Sequence, residues 1–346
     1  MEKIKIEKDS VQETLIIPLY GRRLCSEIFP QLYQDRSAAE IMGKIDYDFT
    51  ELERHSRSRM YVFGALEVAM RQNDIAWEIR NYLRRHPDAA VINLGCGLDD
   101  MGRVCDNGRC RFYNIDLPDV ILMRERLIPP GEREKNLAFD LNDFAWTEAI
   151  DADPADGTIL FAAGVFYYFT TVEVKHLFTA LTKRFPGGRL VFDGAGPAAV
   201  KLMLRTWVKQ AGIKNVRAYF SVRNAKEELE PWSEQMSVSS RGYMQGYQKL
   251  SGFRVNPVYR LLARIADGPM HLQIVRIDFE EQSPPNMIKG TPLFHIIIEV
   301  LRMQDGISRM LYRLFRKRNK KTQNDYSGTL THPIVVERAQ TALQHI

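Results

Sequence analysis

No apolar run in the 346-residue chain reaches the roughly 18 residues that a bilayer span needs. The opening Met1-Glu-Lys-Ile-Lys-Ile-Glu-Lys8 also lacks the apolar core of a secretory signal, so we expect a cytoplasmic protein. Cysteine is scarce. Cys25, Cys96, Cys105 and Cys110 are too few and too scattered for a disulfide framework. Cys105 and Cys110 could begin a zinc site, but no second pair and no histidine cluster completes four ligands, so no metal is expected. Gly-x-Ser-x-Gly elbows and His-Glu metal motifs are absent, which removes the readiest signs of a serine hydrolase or a zinc hydrolase. A general excess of basic charge is lacking too. The net +5 is concentrated between Arg302 and Lys321, where eight basic residues stand against Asp305 alone, and the remainder is near −2. That balance speaks against a nucleic-acid partner.

What is present is an ordinary globular composition, 45% hydrophobic and 26% charged, in a chain long enough for one large domain. Segments 37–46 and 60–85 carry apolar residues at helical spacing, the second as Tyr61, Ala65, Val68, Ala69, Ile75, Ile79 and Leu83. They predict a helical N-terminal layer over residues 1–88. From Ala89 onward short β-branched or aromatic runs alternate with helical stretches. The runs are 91–94, 111–115, 136–139, 158–162 and 190–192, with 216–222 and 271–279 as further strands. Helices are expected over 119–127, 171–185 and 198–211. Such alternation argues for βαβ units around a mostly parallel sheet with helices on both faces.

The first of those runs leads into chemistry. Val91-Ile-Asn-Leu-Gly-Cys-Gly-Leu-Asp-Asp100 places Gly95 and Gly97 at a strand-to-helix turn and follows them with two carboxylates. A dinucleotide site would carry a third glycine at position 100, where a helix start approaches a pyrophosphate. Asp99 and Asp100 would repel that group and attract a sulfonium or ammonium, which points to S-adenosylmethionine rather than a nicotinamide dinucleotide. Nineteen residues after Gly97, Asp116 ends the second strand, the distance at which an acid can accept both hydroxyls of a ribose. Asp140 ends the next strand and reads either as an acceptor for an adenine amino group, with Leu141 covering the ring, or as a helix N-cap. After the fourth strand Ala163 and Gly164 lack bulk where a ligand must pass the backbone. Tyr167 and Tyr168 then either face the reacting methyl or belong to the core.

Taken together these stretches resemble the class I methyltransferases of the leucine carboxyl methyltransferase and tetracenomycin-type polyketide O-methyltransferase family. The resemblance runs from Thr14-Leu-Ile-Ile-Pro-Leu-Tyr-Gly-Arg22 and Lys44-Ile-Asp-Tyr-Asp-Phe49 through Asn93–Asp99, Asn114-Ile-Asp-Leu-Pro118 and Gly164-Val-Phe-Tyr-Tyr-Phe169 to Phe185–Asp193. It implies a Rossmann-like seven-stranded sheet, S-adenosylmethionine as cofactor, and cofactor residues Gly95, Gly97, Asp116, Leu117, Asp140, Leu141, Ala163 and Gly164. It also implies an arginine on the helix before the first strand, matched by Arg59 with Arg57 as a competitor, to pair with the methionine carboxylate. The family continues Leu-Asp with Thr-Arg where this chain has Asp100-Met101, and Arg103 either takes over from the missing arginine or plays no part.

The expected activity is O-methyl transfer to a carboxylate or hydroxyl of a small molecule, with a protein C-terminal carboxylate or a silent cofactor-binding scaffold as alternatives. Tyr168, Arg241 and Tyr243 are the candidate catalytic residues, Arg241 orienting an acceptor carboxylate, and His176 is the nearest histidine should a hydroxyl need a base. Residues 223–270 form an insertion before the last strand, either a lid over the acceptor or a surface loop. The methyltransferase domain is set at 1–280. Beyond it, 281–346 carries Ile307, Met310, Leu311, Leu314 and Phe315 on one face of a basic helix, suited either to peripheral membrane contact or to packing on the domain.

Overall fold

A computed structural model describes residues 3–6, 11–205, 218–247, 250 and 255–280. All of them lie within one compact unit, Met1–Gln282. The basic segment after residue 280, and the membrane contact read from it, lie outside the described residues.

Seven strands form the central sheet: β1 Ala90–Leu94, β2 Arg111–Asp116, β3 Glu134–Ala138, β4 Thr158–Ala162, β5 Arg189–Gly194, β6 Met236–Arg241 and β7 Gln273–Phe279. Their order is β3-β2-β1-β4-β5-β7-β6. The first five are parallel, and β7 runs antiparallel between β5 and β6. The central strands are apolar throughout because both sheet faces are covered. Val91, Ile159, Phe161 and Val191 join the core on one face, and Ile92, Leu94, Leu160, Ala162, Leu190 and Phe192 join the core on the other. This is the expected α/β fold.

One strand is misplaced in the sequence reading. The sixth strand is Met236–Arg241, whereas 218–222 of the expected run 216–222 is irregular and its first two residues lie outside the described set. Phe220 and Val222 still enter the core, held by bonds from Tyr219 N–H to the Tyr167 carbonyl (2.7 Å) and from Val222 N–H to the Ala195 carbonyl (2.9 Å). Among the described residues β6 pairs only with β7. Its Met236 and Val238 face inward while Ser237, Ser239 and Ser240 are exposed, the half-polar character of an edge strand. Serines at 237, 239 and 240 therefore read as loop although the first two line the exposed face of an edge strand and the third lies near its end. The expected insertion contains this strand and the helix Pro257–Asp267.

The N-terminal layer is built of α1 Ile16–Ile28, α2 Arg36–Lys44 and α3 Arg59–Arg85. Ser58 caps α3 by accepting from Tyr61 N–H, and 27 residues give the helix a length of about 40 Å. α3 therefore spans the sheet. Tyr82 reaches it at the amino end of β4, its hydroxyl oxygen accepting from Thr158 N–H at 3.1 Å, while Arg71 lies at the carboxyl end beside Gly164. After β1 come α4 Met101–Cys105, α5 Pro118–Leu127 and α6 Thr171–Arg184, then α7 Pro197–Met203, where a helix over 198–211 was expected and 206–211 lie outside the described residues.

Candidate active site

The parallel strands deliver their carboxyl ends to one edge, and β1 leaves it through Gly95 (φ +69°) and Gly97 (φ +47°). Only glycine adopts such angles freely, and a Cβ at position 95 would come within 2.6 Å of Val165. The N–H groups of Gly95 and Cys96 donate to the Ile115 carbonyl at 2.8 and 3.0 Å, which fastens the turn to β2. At the end of β2 the Asp116 carboxylate accepts from Gly97 N–H (2.7 Å) and Leu117 N–H (2.8 Å). Burial pushes its pKa up to about 6, although those two hydrogen bonds and Arg124 act in the opposite direction. Leu117 is the N-cap of α5.

Two buried arginines hold this turn, and neither was assigned a role from sequence. Arg124 of α5 donates to the carbonyls of Gly97 (3.0 Å) and Asp99 (2.6 Å) and is 1% exposed. Arg22 of α1 donates to the Leu98 carbonyl (2.7 Å) and pairs with Asp35 (3.3 Å) and Asp100 (3.9 Å). Arg103, one of the two alternatives for the missing arginine, donates to the Pro129 carbonyl. Asp99 is likewise committed inside the turn, accepting from the Asn93 amide at 3.0 and 3.2 Å and from Met101 N–H at 3.1 Å. The paired acids thus act first as scaffolding. With Asp35, Asp99, Asp100 and Asp116 against two guanidinium groups, the neighbourhood still favours positive charge.

Other expected residues fall in varied settings. Asp140 is exposed and accepts from Asn142 N–H at 2.9 Å, while Leu141 is buried. Ala163 and Gly164 follow β4 directly, Gly164 at φ +76°. Arg59 is the exposed first residue of α3 and Arg57 is exposed before it. His176 is exposed on α6 with its ring edge-on to Phe144.

The carboxyl ends of β4 and β5 hold a second polar cluster. Asp193, 3% exposed, pairs with Arg71 at 2.9 Å and accepts from Gly164 N–H (2.6 Å) and the Tyr167 hydroxyl (3.1 Å). Next to it, Asp74 is fully buried, pairs with Arg241 and accepts from Tyr247 N–H at 3.2 Å. The Arg241 guanidinium lies 3.4 Å above the Tyr247 ring, which itself stacks on Trp77. Asp267 fixes the loop after β6 by accepting from Met244 N–H (2.9 Å) and Gln245 N–H (2.8 Å). Arg241 ends β6 bound to Asp74, and Tyr243 is buried, its phenol raised well above the usual value by burial and by nearby Glu67 and Asp193. Tyr168 is 38% exposed in the turn after β4. Sequence reasoning missed Glu67, Arg71, Asp74 and Asp193. The polar row at 67, 71, 74 and 78 in a helix read for its apolar face was the available signal.

The family model described as leucine carboxyl methyltransferase matches residues 25–182. Among curated relatives, the tetracenomycin polyketide synthesis O-methyltransferase TcmP of Streptomyces glaucescens is 27% identical over 66% of this chain and 84% of its own length. The S-adenosyl-L-methionine-dependent methyltransferase dpfgK of Gibberella zeae is 25% identical over 78% of this chain and 97% of its own length. The chain is an S-adenosylmethionine-dependent methyltransferase with a class I fold, similar over residues 25–182 to the leucine carboxyl methyltransferase family. Two solved structures share the methyltransferase's fold. A DUF574 family protein from Streptomyces avermitilis aligns with a TM-score of 0.51 at 11% identity, over 75% of this chain and all of its own. A Thermobifida fusca protein described as a methyltransferase gives 0.50 at 13% identity, over 71% of this chain and 93% of its own.

Proposed function

We propose that this methyltransferase transfers the methyl group of S-adenosylmethionine to an oxygen of a small-molecule acceptor. The observation that supports it most is the meeting, at one sheet edge, of the bare Gly95–Gly97 turn, Asp116 and a net negative neighbourhood. A diol-bearing cation fits that donor set. Asp116 would accept the ribose hydroxyls, Leu117 and Leu141 would flank the adenine, Asp140 would take its amino group, and Ala163 with Gly164 would leave room for the methionine half. Arg59 is the exposed guanidinium we assign to the methionine carboxylate. When bound, the cofactor supplies an electrophilic methyl on a sulfonium.

The protein's share is to align the acceptor oxygen and to exclude water, which accounts for most of the lowering of such a barrier. Tyr168 and Tyr243 would form the acceptor wall. Arg241, neutralised by Asp74, keeps that wall in place rather than binding substrate. The choice of oxygen and of a small molecule rests on the likeness to TcmP, itself an O-methyltransferase of polyketide synthesis by name.

Incubation of the purified chain with methyl-labelled cofactor and a metabolite extract, followed by mass spectrometry, tests this reading. Label on an oxygen of a small molecule is expected. Label on protein C-termini would move the assignment to a protein carboxyl methyltransferase, and no label in any product would leave a silent cofactor-binding scaffold.

A further inference from the structure

A cavity of about 530 Å³ opens between the 30–35 loop with the start of α2, the middle of α3, and α4. On α3, Arg71 covers Gly164, and Gln72, one residue on, is turned about 100° round the helix onto a stripe with Ala76 and Arg80 that lines the cavity. The walls are tied to one another. The Asn73 amide donates to the Leu32 carbonyl (3.2 Å) and Arg80 to the Val104 carbonyl (2.7 Å), while Arg22 pairs with Asp35, which also accepts from the Ser37 hydroxyl and Ala38 N–H. A site held in this way is formed before any ligand arrives. At the end nearest the glycine turn two polar groups keep unused capacity. Gln72 is 8% exposed, faces the cavity and makes no hydrogen bond among the described residues. Asp100 stands 3.9 Å from Arg22, beyond hydrogen-bond reach, and its carboxylate caps no N–H of α4.

We propose that this cavity binds a zwitterion of dipeptide length, its ammonium group held by Asp100 and Gln72 and its carboxylate by Arg80 and Arg36. The lining carries Arg22, Arg36 and Arg80 against Asp35, Glu40 and Asp100, so it matches a ligand without net charge. The charges are not evenly spread. Arg22 and Asp35 satisfy each other at 3.3 Å, each side chain 4% exposed, which leaves Asp100 to draw a cation. Away from the turn, exposed Arg36 and Arg80 outnumber Glu40 and draw an anion. An ammonium has three protons to donate, and the Asp100 carboxylate and the Gln72 amide oxygen are acceptors for it. Length follows from the helix. Gln72 and Arg80 lie about 12 Å apart along its axis. Two extended residues cover about 7 Å, and the long Arg80 side chain spans the remainder. A single amino acid, with both charges on one carbon, is too short. Leu32, Ala76, Met101 and Val104 add apolar surface for a ligand side chain.

L-alanyl-L-leucine is the probe, and its N-acetyl and C-terminal amide forms each lack one charge. Calorimetry on the full chain is run with S-adenosylhomocysteine at saturation, so that the cofactor site cannot supply the binding. The dipeptide is expected to bind about tenfold or more tighter than either blocked form. Arg80→Met, at an exposed position, should weaken the dipeptide by roughly fivefold or more and leave the amide form unchanged. Gln72→Leu, close in shape, should weaken the dipeptide by roughly as much, with the urea midpoint no lower than in the parent. Arg80→Met decides alone if Gln72→Leu lowers that midpoint. No binding of the dipeptide, equal binding of a blocked form, displacement of the dipeptide by S-adenosylhomocysteine, or unchanged affinity in a folded variant overturns the proposal.

Discussion

The two halves of the sheet edge solve different problems with the same residue types. In the cofactor half, around β1 and β2, buried arginines point at backbone carbonyls: Arg124 at Gly97 and Asp99, Arg22 at Leu98. Their charge shapes a glycine turn and leaves carboxylate in excess. In the acceptor half, around β4 to β7, arginines are paired one to one with buried aspartates, Arg71 with Asp193 and Arg241 with Asp74. The family match over residues 25–182 contains β1 to β4 and the cofactor half but stops before Asp193, Arg241 and Asp267. The family model thus covers the half we assign to the cofactor and stops short of most of the half we assign to the acceptor.

The contrast is broken most strongly at Asp193. Asp193→Ala leaves Arg71 buried without its counter-charge and also strips acceptors from Gly164 N–H and Tyr167. A loss of about 3–5 kcal/mol is expected, read as a fall in the urea midpoint. Asp116→Ala should act on the other half and on binding rather than on folding. S-adenosylhomocysteine affinity is expected to drop by about 2 kcal/mol, roughly 30-fold, with a much smaller change in urea midpoint than at Asp193. Calorimetry showing equal affinity in a folded variant would remove Asp116 from the ribose.

pH sharpens the same comparison. Asp116 and Asp74 both have native pKa values raised to about 6 by burial, above the value of about 3.9 in an unfolded chain. The native state therefore holds protons that the unfolded chain has lost, and between pH 4 and 6 these two groups make apo stability fall as pH rises. Cofactor binding should move the other way, because an ionised Asp116 is the better acceptor, weakening by up to tenfold per unit as pH drops below about 6. Calorimetry at pH 5.0 and 7.5 alongside urea titrations checks both signs. The smallest effect belongs to Tyr247→Leu, which removes the stack on Trp77 and the ring under Arg241. About 1 kcal/mol of stability is expected to be lost with cofactor affinity unchanged.

Much of the fold was legible because it is written locally. β4 runs over the residues its apolar pattern indicated, and β1, β2 and β5 differ from expectation by a residue or two at their ends. β6 escaped because an edge strand needs only one apolar face, and Ser237 and Ser239 on the other disguised it. Of the expected site residues, Gly95, Gly97, Asp116, Leu117, Ala163 and Gly164 announced their positions by following strand ends. Arg124 gave no sign, since an arginine on a short amphipathic helix looks the same whether it faces water or a carbonyl.

Sequence alone determined the alternation of strands and helices, the positive-φ turn after β1, and the acid nineteen residues beyond it. Each follows from backbone geometry and spacing within a single βαβ unit. Only the tertiary structure decided which charges are matched and which are not. Arg71 meets Asp193 across 122 residues and Arg241 meets Asp74 across 167, so Arg241, which looked available, is engaged. The periodicity of a chain is fixed by its nearest bonds, whereas the charge state of a site depends on which distant segments share one low-dielectric space.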